Sequence, residues 1–245
     1  MLRTIVLFAF EFLYVGLSAL YVPYYKYLCK RDPLRAEGFV YGLVTRWAVR
    51  SLAVAGANIE VRGEENLLPD DMPAIYVGNH QSMADIPLVL SRMGRPKGII
   101  SKGELGKHKI FALWMKAFRC VFVDREDPRK AAAAMREASE HVEAGYPMVI
   151  FAEGTRSRNG EIAEFKAGAF RIAQKSKVPV VPFCIEGTGG LFEYNKKVLN
   201  PKSKVILHIL PAVDTSEYTR DDWKALPGLC EKMIKEKLSF IRNER

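Results

Sequence analysis

From Asn58 onward, seven short runs rich in branched side chains recur, at 59–61, 74–77, 98–101, 120–123, 148–151, 180–185 and 205–210. Helical segments alternate with them at 86–93, 110–118, 128–144, 166–175 and 220–242, the last expected to break at Pro227-Gly228. Pro128 opens the third helical segment and Gly145 closes it, the usual punctuation of a helix. Alternation of this kind predicts an α/β fold: a largely parallel sheet covered by helices on both faces. The 245 residues provide for one such domain over 58–245 with an appendage over 1–57, and no internal repeat divides it further.

The appendage reads as a two-helix hairpin. Residues 5–25 are almost entirely apolar, broken by Glu11, Gly16 and Ser18 and flanked by Arg3 in front and by Lys26, Lys30 and Arg31 behind. About 20 apolar residues suffice to cross a bilayer, but Glu11 near its centre costs roughly 2.5 to 3.5 kcal/mol. Basic residues at both ends mark no single cytoplasmic side, and no small-residue cleavage site follows as in a secretory signal. The second stretch, 33–57, opens on Pro33 and carries a broad apolar face including Phe39, Leu43, Val44, Trp47 and Leu52, with Arg35, Arg46 and Arg50 off it. Two such helices joined by a basic linker predict a membrane-associated hairpin lying in one leaflet, with Trp47 and the tyrosines near the headgroups. The competing reading is a pair of helices that caps the domain core, consistent with a mean hydropathy of −0.06.

Chemistry concentrates where the second strand ends. The stretch Asn79-His80-Gln81-Ser82-Met83-Ala84-Asp85 follows an apolar run and leads into Ile86-Pro87-Leu88, so a strand enters a polar turn and leaves as a helix. Strand ends of this kind are where α/β folds place ligands. An imidazole accepts an alcohol proton near neutral pH, and a carboxylate on its other nitrogen fixes the tautomer and stabilises the imidazolium. Five residues do not share one helical face, so the pair meets only with His80 in the turn and Asp85 at the helix entrance. Pro87, tolerated in a first turn, agrees with that placement. The alternative is that Ser82 to Asp85 is merely a capping box.

Two further strand ends, Phe122-Val123-Asp124-Arg125 and Phe151-Ala152-Glu153-Gly154-Thr155-Arg156-Ser157-Arg158, fall on the same edge in a parallel sheet. Arginines there suit an oxygen-rich anion, Gly154 permits close backbone approach, and Thr155 adds a hydroxyl. Solvated surface ion pairs are the competing reading. Net charge is +9, with 11 Lys/Arg against 4 Asp/Glu over 92–130, whereas 63–91 carries five acids and no base. An anionic membrane, a phosphorylated substrate or nucleic acid would each meet that distribution. Cys29, Cys120, Cys184 and Cys230 form no C-x-x-C pair, and His108, His141 and His208 lack partners at metal-ligand spacing. No G-x-S-x-G, H-E-x-x-H, Walker or G-x-G-x-x-G motif is present.

Assembled in order, these residues resemble the glycerolipid acyltransferases, most closely the lysophosphatidic acid acyltransferases, over about Gly63 to Ala212. Four blocks carry the resemblance: His80 to Asp85 as H-x4-D; Phe122 to Arg125; Phe151 to Arg158 with Phe165-Lys166 and Gly168; and Val178-Pro179-Val180-Val181-Pro182. It implies acyl transfer from acyl-CoA or acyl carrier protein to the 2-hydroxyl of 1-acyl-glycerol 3-phosphate, giving phosphatidic acid without a cofactor. By the same resemblance His80 is the base, Asp85 orients it, and Arg125, Glu153, Gly154, Thr155 and Arg156 hold the glycerol phosphate. The block 178–182 would support the pocket. Lys102, just past the third strand, is the candidate oxyanion donor, from position and charge alone. Expected partners are lysophosphatidic acid, the acyl donor and an anionic cell-membrane surface with the catalytic domain on the cytoplasmic side; nucleic acid is not expected. Ala152 stands where proline is usual, and Gly106-Lys107-His108-Lys109 replaces a more apolar connection. Glycerol 3-phosphate, another lysophospholipid, or anionic-lipid binding without catalysis are the alternatives.

Overall fold

The computed structural model describes residues 1–124 and 126–244. Seven strands, β1 (Asn58–Arg62), β2 (Ile75–Gly78), β3 (Gly98–Lys102), β4 (Val121–Val123), β5 (Met148–Phe151), β6 (Val180–Glu186) and β7 (Lys204–Ile209), form one sheet in the order β1-β7-β6-β2-β5-β3-β4. The five strands from β6 to β4 run parallel; β7 is antiparallel to β6 and carries β1 parallel to itself. The expectation of a largely parallel sheet therefore holds, and β1 and β7 run against the rest.

Helices cover both faces. α1 (Leu2–Ser18), α2 (Val22–Arg31), α3 (Pro33–Ala55), α4 (Asp85–Arg92) and α5 (Lys109–Ala117) lie on one, while α6 (Pro128–Glu143), α7 (Arg171–Ser176) and α8 (Arg220–Asn243) lie on the other. Period-two alternation in the strands sorts the core. Tyr76, Val149, Phe151, Val181, Phe183 and Ile185 point to the α3–α5 face, whereas Ile75, Val77, Met148, Ile150, Val180 and Cys184 point to the α6–α8 face. Local chemistry closes the helices as the sequence requires: Asp32 caps α3, Asp127 caps α6 by accepting from the Arg129 and Lys130 N–H groups, and Thr219 and Asp222 form a capping box on α8.

Two expectations are corrected here. α8 does not break at Pro227-Gly228 but runs on through it. An interior proline costs about 3 kcal/mol, and the continuous helix offsets that by burying Leu226, Cys230, Ile234, Leu238 and Ile241 in a single stripe. The block Val178–Pro182 does not line the His80 cavity: Val180 pairs with Ile75 at the start of β2, the far end of the sheet from His80, and Val178, Val180 and Val181 are core.

Burial pushes the thiols of Cys120, Cys184 and Cys230 up to about 12. A thiol whose folded value lies above its unfolded value of about 9 contributes nothing against folding below pH 9 and progressively destabilises above it. Stability is therefore expected to fall between pH 9 and 10.5 by up to about 1 kcal/mol per pH unit for each thiol. Urea unfolding in detergent across that range checks this, and a Cys→Ala triple variant should show a shallower slope.

Candidate active site

β2 is central, so the turn that leaves it is held from both sides. Asn79 continues the pairing with β6 through its side chain: the amide donates to the Ile185 carbonyl and its oxygen accepts the Ile185 N–H, both at 2.8 Å. Gly78 just before it has no room for a side chain, since a Cβ would sit 2.2 Å from the Phe183 ring. The chain then turns, and His80 Nδ1 meets Asp85 Oδ2 at 2.7 Å. The same oxygen accepts the backbone N–H groups of Gln81 at 2.7 Å and Ser82 at 2.9 Å. Asp85 is 0% exposed, and its Oδ1 has no hydrogen-bond partner among the described residues. Oδ2 thus takes the Ser82 N–H and also holds the imidazole, while Ser82 Oγ accepts the Ala84 N–H, so the reciprocal bond of a capping box is not made.

With a carboxylate that already accepts two N–H groups on its Nδ1 side, the imidazole carries its proton at Nδ1 and presents Nε2 as the base. One face of the ring is stacked on Phe151, with centroids 4.2 Å apart and planes 20° from parallel. Phe151 is the last residue of the neighbouring strand β5, and composition gave no signal for this contact. Ser157 N–H donates to the His80 carbonyl at 2.7 Å, tying the loop after β5 to the catalytic turn.

The residues expected to hold the phosphate divide into wall and support. Gly154, Thr155 and Arg156 lie with His80 on one cavity of about 700 Å³. Gly154 adopts φ +76°, and a Cβ there would lie 3.1 Å from Lys166 Nζ, so the loop needs glycine and brings that ammonium over it. Lys166, quoted only as part of a downstream block, is thereby a neighbour of the site. Arg156 donates to Glu193, whose same oxygen accepts the Met83 N–H. Glu153 is placed differently from expectation. It is 3% exposed beneath the turn, with its two oxygens taken by the N–H groups of His80 at 2.8 Å and Ala163 at 2.9 Å. Burial pushes its carboxyl up against those hydrogen bonds, and it supports the His80 backbone instead of facing a ligand. Lys102 reaches the cavity rim, where its ammonium pairs with Glu104 at 2.8 Å on an exposed surface. Arg125 lies outside the described residues.

Much of the rest of the cavity wall is apolar, and the appendage and α5 supply a large part of it, with Phe8, Val15, Leu43, Leu52, Phe111 and Trp114 among the residues. α1 is packed inside out. Its inward positions Thr4, Glu11 and Ser18 recur every seven residues and bond to the Leu199 N–H, to Trp47 and Ser51 of α3, and to the Trp114 indole. Its outward face exposes Leu2, Ile5, Phe12, Leu13 and Leu17, with Leu20 just beyond its end; Phe12 is 80% and Leu20 76% exposed. The penalty expected for Glu11 in lipid does not arise in this packing, because two donors on α3 satisfy it. One of these partners is Trp47, whose indole N–H donates to Glu11.

A histidine paired with a buried carboxylate ends a central strand beside an arginine and a largely apolar cavity, and the Acyltransferase family model matches residues 58–186, more than half of the chain. The Haemophilus influenzae 1-acyl-sn-glycerol-3-phosphate acyltransferase is 30% identical over 211 residues, which cover 83% of each protein. The chain belongs to the 1-acyl-sn-glycerol-3-phosphate acyltransferase family. The Arabidopsis thaliana chloroplast member is 36% identical over 179 residues; those cover 72% of this chain but 49% of that protein, so the chain spans about half the length of its plant relatives. The crystal structure of the acyltransferase PlsC from Thermotoga maritima superposes with a TM-score of 0.74 at 28% identity, covering 98% of each chain.

Proposed function

We propose that the protein transfers a fatty acyl group from a thioester donor, acyl-CoA or acyl carrier protein, to the free hydroxyl of 1-acyl-glycerol 3-phosphate, giving phosphatidic acid. The observation that carries this reading is the single cavity whose wall holds His80, Thr155, Arg156 and a largely apolar lining. Nε2 of His80 takes the hydroxyl proton as the oxygen attacks the thioester carbonyl. The tetrahedral oxyanion then collapses and expels the thiolate. Backbone N–H groups and Lys102 are the candidate donors for that oxyanion. Gly154, Thr155 and Arg156, with Arg125 by resemblance, take the phosphate, and the apolar walls take acyl chains.

Arg156 must share its guanidinium between Glu193 and the incoming phosphate. Its replacement by alanine is expected to raise the acceptor KM about 10- to 100-fold, as loss of a charged hydrogen bond worth roughly 1.5 to 3 kcal/mol requires. The donor KM and kcat should change little. Steady-state kinetics with each substrate varied in turn check this, and an unchanged acceptor KM removes Arg156 from the phosphate site.

The inside-out packing of α1 supports membrane attachment through one leaflet. Its polar stripe is satisfied by the domain along the helix, so only the opposite face is left for lipid. Residues 2–31 are long and apolar enough to cross a bilayer by length and composition, but a crossing would strip Thr4, Glu11 and Ser18 of these partners. The basic residues flanking the helix suit an anionic, cytoplasmic leaflet. Replacing Phe12 and Leu20 together by aspartate should weaken binding to phosphatidylglycerol vesicles at least tenfold in a sedimentation assay, each apolar side chain contributing about 1.5 to 3 kcal/mol.

The reaction is tested with purified protein in mixed micelles, crossing 1-acyl-glycerol 3-phosphate, glycerol 3-phosphate and lysophosphatidylcholine with both donors. Phosphatidic acid as the dominant product supports the proposal. Product from another acceptor alone, or none, overturns it.

A further inference from the structure

The catalytic turn is bonded on its far side to a residue that neither the motif nor the family match reaches. Arg242 lies in the last turn of α8, outside the matched residues 58–186. Its Nε donates to Glu186 Oε2 at 3.2 Å, one terminal nitrogen donates to the Gly160 carbonyl at 2.6 Å, and the other pairs with Glu161 at 3.2 Å. Glu186, the last residue of β6, accepts on that same Oε2 from the Gln81 side-chain amide at 3.0 Å. Gln81 is buried, and its side-chain oxygen takes the Gly187 N–H at 3.1 Å. Its own backbone N–H is one of the two held by Asp85 Oδ2. One guanidinium therefore reaches the catalytic turn through two intermediates and the loop after β5 directly.

We propose that Arg242 is a positioning residue for acyl transfer, fixing the His80 turn and the 153–161 loop relative to each other. An ion pair between neighbouring helical positions, such as Lys235 and Glu231, need explain nothing beyond itself. Arg242 instead joins segments 56 and 81 residues away in sequence through charge-assisted bonds in a planar fork. Through Glu186 and Gln81 it reaches the turn that carries the proposed base, and through Gly160 and Glu161 the loop that carries Gly154, Thr155 and Arg156. A displacement of about 1 Å between such groups is enough to cost on the order of 100-fold in rate. Without the guanidinium, the Glu186 carboxylate that accepts from the Gln81 amide loses one of its charged partners, and the backbone N–H that Gln81 gives to Asp85 shifts with the change.

The inference rests on the acyl-transfer reading, and its test separates the two. Wild type, Arg242→Met, Arg242→Lys, Glu186→Gln and the Arg242→Met/Glu186→Gln double variant are assayed for phosphatidic acid formation, with Tm measured for each. Arg242→Met should lower kcat about tenfold or more with both KM values within twofold. Arg242→Lys should recover part of that loss, since one ammonium replaces some of the three contacts. The double variant should be no slower than the worse single variant, as expected for residues acting in one chain. If Arg242→Met unfolds, a kcat loss in Glu186→Gln at unchanged Tm supports the inference, and an unaffected kcat there overturns it. An active wild type with kcat preserved in Arg242→Met, or losses that simply multiply in the double variant, overturns it alone. A wild type that forms no phosphatidic acid overturns both readings.

Discussion

Replacement of His80 by alanine is expected to lower kcat for phosphatidic acid formation by about 10² to 10⁴, the usual contribution of a positioned base. The fold should survive the change. The ring is a minor part of the core, with its side chain 17% exposed, and its removal leaves Asp85 Oδ2 still accepting from Gln81 and Ser82. What disappears is Nε2, and among the described residues neither Glu153, buried with both oxygens engaged, nor Lys102, paired with Glu104 at the rim, replaces it. Circular dichroism and vesicle binding should match wild type while product formation collapses. A variant retaining more than a tenth of wild-type activity would remove His80 from the reaction.

The Asp85→Asn variant should be nearly as severe, for a reason specific to this geometry. Three donors converge on one oxygen of Asp85, and the other oxygen is buried without a partner among the described residues. If the asparagine oxygen takes the Oδ2 position, the tautomer is kept but the negative charge that stabilises the imidazolium is lost, and an amide N–H₂ is buried unpaired. If the amide turns over, its N–H₂ faces two backbone N–H groups and forces His80 into the wrong tautomer. Either orientation lowers kcat by roughly 10² to 10⁴. The buried unsatisfied group destabilises the protein by about 1 to 3 kcal/mol. Acceptor KM should stay within a fewfold, because Asp85 touches no substrate. A rise in KM at constant kcat would contradict the assigned role.

The structure also changes what the appendage does. As a sequence, residues 1–57 divide into a hairpin for the membrane and a separate α/β domain. In the fold, Val40, Leu43, Val44 and Ala48 of α3 belong to the same core as Leu88, Phe151 and Phe183, and α1 supplies part of the wall of the His80 cavity. The segment proposed to meet lipid thus also lines the space in which acyl chains are proposed to react. A substrate that resides in the bilayer needs no aqueous transfer to reach Nε2 in this arrangement.

By itself the sequence determined the elements and the reacting pair. Branched runs and helix punctuation located all seven strands to within one or two residues, because pleat alternation and caps act over a few neighbours. The five-residue spacing from His80 to Asp85 placed one in a turn and the other at a helix entrance, since no regular element brings both to one face. Only the tertiary structure decided which groups serve as support. Glu153 under the turn, Phe151 against the ring, Trp47 on Glu11 and Arg242 at the end of α8 are set by contacts between segments 36 to 82 residues apart. The same holds for Pro227, whose local preference to break α8 yields to the apolar stripe buried on the sheet. Local preferences amount to a few kcal/mol at most, whereas the position of a side chain in the core is fixed by everything packed around it, and no spacing along the chain encodes that sum.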